Sequence, residues 1–264
     1  MYNKPGILVV SFGTSHQDTR ARTITAIEQA IQDAHPSLPV FRAWTSGMIR
    51  RKLERTTGEV IQSVAQALSQ MADQGITQAI LQPTHIIDGI ENQQMQADAN
   101  AFRNIFQKIA FGRPLLSSSE DLEKMAQILE HTFSGLGPEE HLILMGHGSQ
   151  HPSNQIYARL DDCFHQQEHN HIHVATVEAS PTLDDVLQKL RTQPVRRIHL
   201  APLMIVAGDH VVNDMAGDGE DSWKSTLERA GYPVTCHLKG LGEYPQVRQM
   251  FLAHLAKALE CLKR

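Results

Sequence analysis

Three places in the chain set a histidine or a carboxylate behind an apolar run that closes on glycine. Gly146-His147-Gly148-Ser149 follows residues 141–145 (HLILM), Ala207-Gly208-Asp209-His210 follows residues 198–206, and Asp88-Gly89-Ile90-Glu91 ends a similar stretch in the first half. Glycines on either side of His147 let the backbone turn sharply and leave the imidazole projecting into open space. Two imidazoles and one carboxylate, with coordination positions left open, form a borderline-soft site suited to Co2+, Ni2+, Fe2+ or Zn2+. The three residues are far apart in sequence, so spacing carries no argument for ligation. What they share is a position just beyond an apolar run. Each also has a plainer reading: a tight turn with an incidental histidine at His147, a capping cluster at His210, and a first-turn helical carboxylate at Glu91.

Other groups extend the set. Glu178, in Val177-Glu178-Ala179-Ser180-Pro181, leaves another apolar run and is placed either to orient a histidine and take a proton or to serve as an acidic cap. Ser11, Thr14 and Ser15 form a hydroxyl-rich loop suited to the polar edge of a ligand, and Arg50, Arg51 and Lys52 are the densest basic cluster. The cluster suits anion recognition or a solvated helix face. His165, His169, His171 and His173 offer a further metal reading, with the last three on one face of a strand. That tract falls at a helix-to-strand return, away from the other candidates. Several common sites are absent. The Gly146 segment has no Gly-Lys-Ser/Thr ending, His151 stands where a dinucleotide fingerprint needs glycine, and no Gly-x-Ser-x-Gly elbow occurs. Residues 218–221 (DGED) lack the spacing of a calcium loop and read as the start of a helix.

The elements that must hold these residues alternate along the whole chain. Continuous apolar runs at 6–12, 40–44, 77–81, 141–145, 171–177 and 197–200 read as strands of a sheet covered on both faces. Between them, apolar residues recur at helical spacing, as in Ile24, Ile27 and Ile31. Helices are expected over 48–53, 60–71, 91–109, 120–131, 153–166, 183–190, 223–230 and 247–262, with a brief strand at Leu115 and Leu116. This order predicts parallel α/β layers. Residues 133–140, with Gly135, Gly137 and Pro138, interrupt the rhythm and divide the chain into lobes at 1–134 and 135–264, the final helix packing back on the first lobe. An offset of 135 superposes Phe12 and Gly13 on His147 and Gly148. An offset of 119 superposes Leu81, Pro83, Gly89 and Glu91 on Leu200, Pro202, Gly208 and His210. Two similar lobes related by internal duplication are expected, with ligands at the carboxyl ends of the strands. If the lobes face each other, His147, His210 and Glu91 converge.

Composition narrows the class. A chain of 264 residues, 41% hydrophobic and 20% charged, is long enough to bury a core without disulfides and is neither fibrous nor disordered. Its formal net charge of −5 provides no general surface for nucleic acid, and no apolar run approaches the roughly 20 residues of a membrane span. Three scattered cysteines and the lack of a signal peptide pattern at the start lead to the expectation of a cytoplasmic protein.

Longer motifs add a resemblance. The segments 9–15 (VVSFGTS), 145–148 (MGHG), 203–215 (LMIVAGDHVVNDM), 41–51 (FRAWTSGMIRR), 217–224 (GDGEDSWK) and 240–243 (GLGE) resemble the class II tetrapyrrole chelatases, and among these the anaerobic sirohydrochlorin cobalt chelatases of cobalamin biosynthesis. The likeness covers nearly the whole chain. It implies two α/β lobes and ATP-independent insertion of Co2+ into sirohydrochlorin or precorrin-2, with release of two protons. It also implies His147 and His210 as catalytic residues and metal ligands, and Glu91, after His85-Ile86-Ile87, as the acidic metal contact. Ser11, Thr14, Ser15, Arg50, Arg51 and Glu178 are expected at the macrocycle. No cofactor is expected beyond the substrate metal. The expected partners are sirohydrochlorin and a divalent metal, with a homo-oligomer compatible and neither nucleic acid nor membrane involved. The alternatives are a non-enzymatic metal or tetrapyrrole carrier, or a ferro- or nickel-chelatase acting on a related macrocycle.

Overall fold

The computed structural model describes residues 3–263, which form two compact units. The first contains β1 (Pro5–Ser11), α1 (Gln17–Arg22), α2 (Ile24–Ala34), β2 (Val40–Trp44), α3 (Gly47–Thr57), α4 (Val64–Asp73), β3 (Gln78–Pro83), α5 (Ile90–Asn100) and β4 (Lys108–Phe111). Its four strands are all parallel, in the order β2-β1-β3-β4. The second unit contains α6 (Ser119–Thr132), β5 (Glu140–Gly146), α7 (Gln155–Gln166), β6 (Ile172–Thr176), α8 (Leu183–Leu190), β7 (Arg197–Pro202), α9 (Trp223–Arg229) and β8 (Val234–Cys236). Its strands are again parallel, in the matching order β6-β5-β7-β8. The last helix, α10 (Pro245–Lys263), returns to the first unit.

Burial explains the sheets. Ile7, Leu8, Val9 and Val10 of β1, and Leu142, Ile143, Leu144 and Met145 of β5, are fully buried, as strands covered on both faces require. The helices turn one stripe inward. Ile24, Ile27 and Ile31 do so on α2, and Val64, Ala67, Leu68 and Met71 on α4, whose start is fixed by a Ser63–Gln66 capping box.

The hydrogen bonds confirm the duplication atom by atom. Thr84 N–H donates to Val10 O at 2.8 Å, and Leu203 N–H to Met145 O at 2.8 Å. Ser46 N–H donates to Phe12 O at 3.1 Å, and Glu178 N–H to His147 O at 2.9 Å. The two units are thus repeats of one α/β design, each a parallel sheet flanked by helices.

Several expected boundaries move. The division falls at Ser117/Ser118 instead of 134/135, because α6 packs on α7 and belongs to the second unit. The helix expected over 91–109 stops at Asn100. Phe102, Phe106 and Ile109 imitate helical spacing, yet Lys108–Phe111 pairs with β3 and supplies a fourth strand. Leu115 and Leu116 form no strand but are buried and donate to His85 O at 2.9 Å and Ile86 O at 2.8 Å. The helix expected from residue 60 begins at Val64, after its Ser63 cap. Among the described residues, no helix is long and apolar enough to cross a membrane.

Candidate metal site

His147 stands directly after β5, and two loops hold it. Gly148 adopts φ +83°, and a Cβ there would lie 2.7 Å from Thr176 Oγ1 and 2.9 Å from Ala179 N, so only glycine lets the His147 loop approach the end of β6 so closely. The facing loop carries Glu178. Its shape is set by Thr176 Oγ1–H donating to Ala179 O at 2.5 Å, Asn154 Nδ2–H to Ser180 O at 2.6 Å and Gln150 Nε2–H to Glu178 O at 3.1 Å. Asn154 also accepts from Ser149 N–H at 2.9 Å, which ties the two loops together.

His210 opens a π-helical turn, His210–Met215, closed by Ala216 N–H donating to Val211 O at 3.1 Å. Such wide turns recur at functional sites. Val211 and Met215 are fully buried and anchor the turn, while His210 points outward with its Nδ1 2.5 Å from Asp214 Oδ2. The rings of His147 and His210 meet edge to face, their centroids 4.6 Å apart at 87°. Glu178 Oε2 lies 3.7 Å from His147 Nδ1.

One ligand atom from each of His147, Glu178 and His210 lies within 4.8 Å of the other two. Bonds of about 2.1 Å to a transition metal place ligand atoms roughly 3–4 Å apart, so small side-chain turns close the set on an ion. The hydrogen bonds leave the right nitrogens free. His147 Nδ1 lies 3.0 Å from Gly148 O and His210 Nδ1 faces the Asp214 carboxylate, so each imidazole donates through Nδ1 and presents Nε2. All three side chains are 40–54% exposed, which suits an ion that must enter and leave.

The other expected residues lie in the first unit. Glu91 sits in the first turn of α5 and is exposed. The carboxylate gathered with the two imidazoles is Glu178, which was expected at the macrocycle. Ser11 is buried and accepts from Thr84 Oγ1–H at 2.8 Å, and Thr14 Oγ1 accepts from His16 N–H at 3.2 Å. Ser15 accepts from Lys52 Nζ at 3.0 Å, so the hydroxyl loop and the basic cluster of α3 do meet, through Lys52. Arg50 and Arg51 lie beside Lys52 on α3, with the Arg50 Nε buried and without a hydrogen-bond partner. Phe12, Met48 and Ile90, which follow β1 or open α3 and α5, are apolar side chains 45–71% exposed and were not among the expected site residues. Their position at the carboxyl ends of strands was the available signal. His85, beyond β3, has both ring nitrogens buried, and burial lowers its pKa from 6.5 to about 4, with a hydrogen bond to Asn92 acting in the opposite direction.

A model of the cobalt chelatase (CbiK) family matches residues 5–260. The chain belongs to that family. It is a class II chelatase, an enzyme that inserts a metal ion into a tetrapyrrole. The chelatase is 42% identical over 256 residues to the sirohydrochlorin cobaltochelatase of Salmonella typhimurium, covering 97% of each chain. It is 34% identical over 262 residues to the sirohydrochlorin cobaltochelatase CbiKC of Nitratidesulfovibrio vulgaris, covering 98% of this chain and 92% of that one. Its fold matches SirB from Bacillus subtilis with Fe3+ at a TM-score of 0.66 and 14% identity, covering 99% and 98% of the two chains.

Proposed function

We propose that this chelatase inserts Co2+ into sirohydrochlorin, or into precorrin-2, without ATP and with release of two protons, as a step of anaerobic cobalamin biosynthesis. The observation that carries the reading is the exposed cluster of His147, His210 and Glu178, a two-imidazole, one-carboxylate set of the type that binds Co2+ with positions left open. The names of the two curated relatives, matched over nearly their full lengths, support the choice of metal and macrocycle.

In this mechanism His147 and His210 hold the ion through Nε2, and Glu178 offsets part of its charge. Asp214 fixes the tautomer of His210 and keeps its ring aimed. Insertion requires the pyrrole nitrogens to lose two protons as the metal leaves its protein ligands. Each imidazole regains a free lone pair as it gives up the ion, so the two rings between them can accept both protons. Glu91 is assigned as a further carboxylate for the ion during transfer. Ser11, Thr14, Ser15, Arg50 and Arg51 are assigned to the carboxylate edge of the macrocycle. The exposed Phe12, Met48 and Ile90 offer apolar surface for its flat face.

The test is anaerobic mixing of Co2+ and sirohydrochlorin with a small amount of protein, following macrocycle absorption. Many turnovers per chain are expected, faster with Co2+ than with Fe2+ or Ni2+. Conversion that stops at one equivalent of protein would make the chain a carrier instead, and faster insertion of Fe2+ or Ni2+ would reassign the metal.

A further inference from the structure

The histidine tract at the start of β6 forms a second cluster within the second unit. Asp161 and His165 stand one turn apart on α7, His173 projects from β6, and one ligand atom of each lies within 4.8 Å of the other two. His173 is fully buried and Asp161 is 5% exposed, so this is an interior site reached from the His165 side.

The hydrogen bonds determine which atoms are available. His141 bonds to the backbone of Pro194, which has only a carbonyl to offer, so His141 is the donor there. In a neutral imidazole the remaining nitrogen accepts, and that nitrogen is Nδ1, 3.0 Å from His173 Nε2. His173 therefore donates through Nε2, which leaves Nδ1 as a bare lone pair. That atom is buried and has no hydrogen-bond partner. His165 shows the same arrangement. Its Nδ1 lies 3.1 Å from Asn170 Oδ1, and its Nε2 lies 3.3 Å from Asp161 Oδ2. In both histidines one nitrogen is held by an acceptor outside the cluster, as in metal-binding imidazoles, while the other is left to the cluster, His165 Nε2 facing Asp161 and His173 Nδ1 without a hydrogen-bond partner.

Asp161 Oδ1 accepts from Val174 N–H at 2.8 Å, and Oδ2 accepts from Lys189 Nζ at 2.7 Å. Among the described residues, Lys189 is the one lysine or arginine bonded to this carboxylate. It is 43% exposed and can swing into water at little cost. The geometry points to a second divalent-metal site on Asp161, His165 and His173, independent of the chelation centre, with the Lys189 ammonium as the stand-in that an incoming ion displaces. Two nitrogens and one carboxylate oxygen suit Zn2+, Ni2+ or Co2+ and exclude Mg2+ or Ca2+, which favour all-oxygen shells.

The test uses Zn2+ and equilibrium dialysis on the full chain. The His147→Ala/His210→Ala protein should still bind one ion, and adding His165→Ala should abolish that binding. In the same double variant, Lys189→Met should tighten binding by about tenfold, because a charge-assisted competitor for the carboxylate is gone. With His147 and His210 intact, His165→Ala should lower the bound Zn2+ from two ions to one while the metal-free far-ultraviolet spectrum stays unchanged. Failure of the double variant to bind an ion, an ion retained after His165→Ala, or binding unchanged or weakened by Lys189→Met would each overturn the second site. None of these results bears on which metal the chelation centre inserts.

Discussion

The two sheets share a backbone plan and differ in what stands on it. Gly13 and Gly148 follow the central strands β1 and β5, both with positive φ, and each packs against the last residue of the neighbouring strand, Trp44 or Thr176. Where the first unit places Phe12, the second places His147. Where the first places Ser46, which caps α3, the second places Glu178, and Glu91 corresponds to His210. Duplication therefore preserved the turns at the strand ends, while the three candidate ligand positions carry different side chains in the two repeats. The lesson is that backbone hydrogen bonds and tight glycines make the scaffold, and the candidate metal cluster differs from its counterparts in the other repeat by three side chains.

The largest expected effect tests that asymmetry directly. His147→Ala or His210→Ala should lower Co2+ insertion by roughly 10²–10⁴-fold in kcat/KM at limiting Co2+. Phe12→Ala, at the matching position of the other repeat, should leave Co2+ binding by calorimetry intact. Equal loss of Co2+ binding in Phe12→Ala and His147→Ala would remove the division of labour. Next is Asp214→Asn, which keeps the shape beside His210 but weakens its anchoring. Co2+ affinity should fall about 10–100-fold, seen as a raised KM for the metal.

The glycines should respond alike in the two repeats. Gly13→Ala would set a Cβ 2.5 Å from the Trp44 ring, and Gly148→Ala one 2.7 Å from Thr176 Oγ1, both at positive φ. Each should cost about 1–3 kcal/mol in denaturant unfolding.

The smallest effect separates the repeats by pH. His141, His171, His173, His199 and His237 of the second unit all have pKa values lowered chiefly by burial, against His85 alone in the first among the described residues. A lowered folded-state pKa means that the unfolded chain binds more protons between that value and about 6.5. Stability from these groups is present above 6.5 and declines as pH falls, for His173 down to about 3. Trp44 and Trp223 lie in different units, so Trp44→Phe and Trp223→Phe proteins report each unit by fluorescence. The Trp223 signal should be lost at a higher pH than the Trp44 signal, and coincident transitions would show that the histidines do not set the difference.

Much of this was legible in the residues. Apolar runs such as 141–145 marked buried strands because parallel sheets covered on both faces leave no room for alternation. His147 and His210 stood out because glycines beside them repeat in the other half. Glu178 was seen but given another task, since its counterpart is Ser46 and no shared proline or glycine marks the pair. The π-turn was not legible, because His210 and Asp214, like the buried Val211 and Met215, have the spacing of an ordinary helix. Strand β8 is three residues long, too short for a period to register.

The return of α10 to the first unit has a consequence for synthesis. The first sheet is completed by Val247, Phe251 and Leu255, all fully buried, whereas residues 118–241 contain everything the second sheet needs. As the chain leaves the ribosome, the half bearing both imidazoles is finished first, and the half translated earliest must wait for its closing helix.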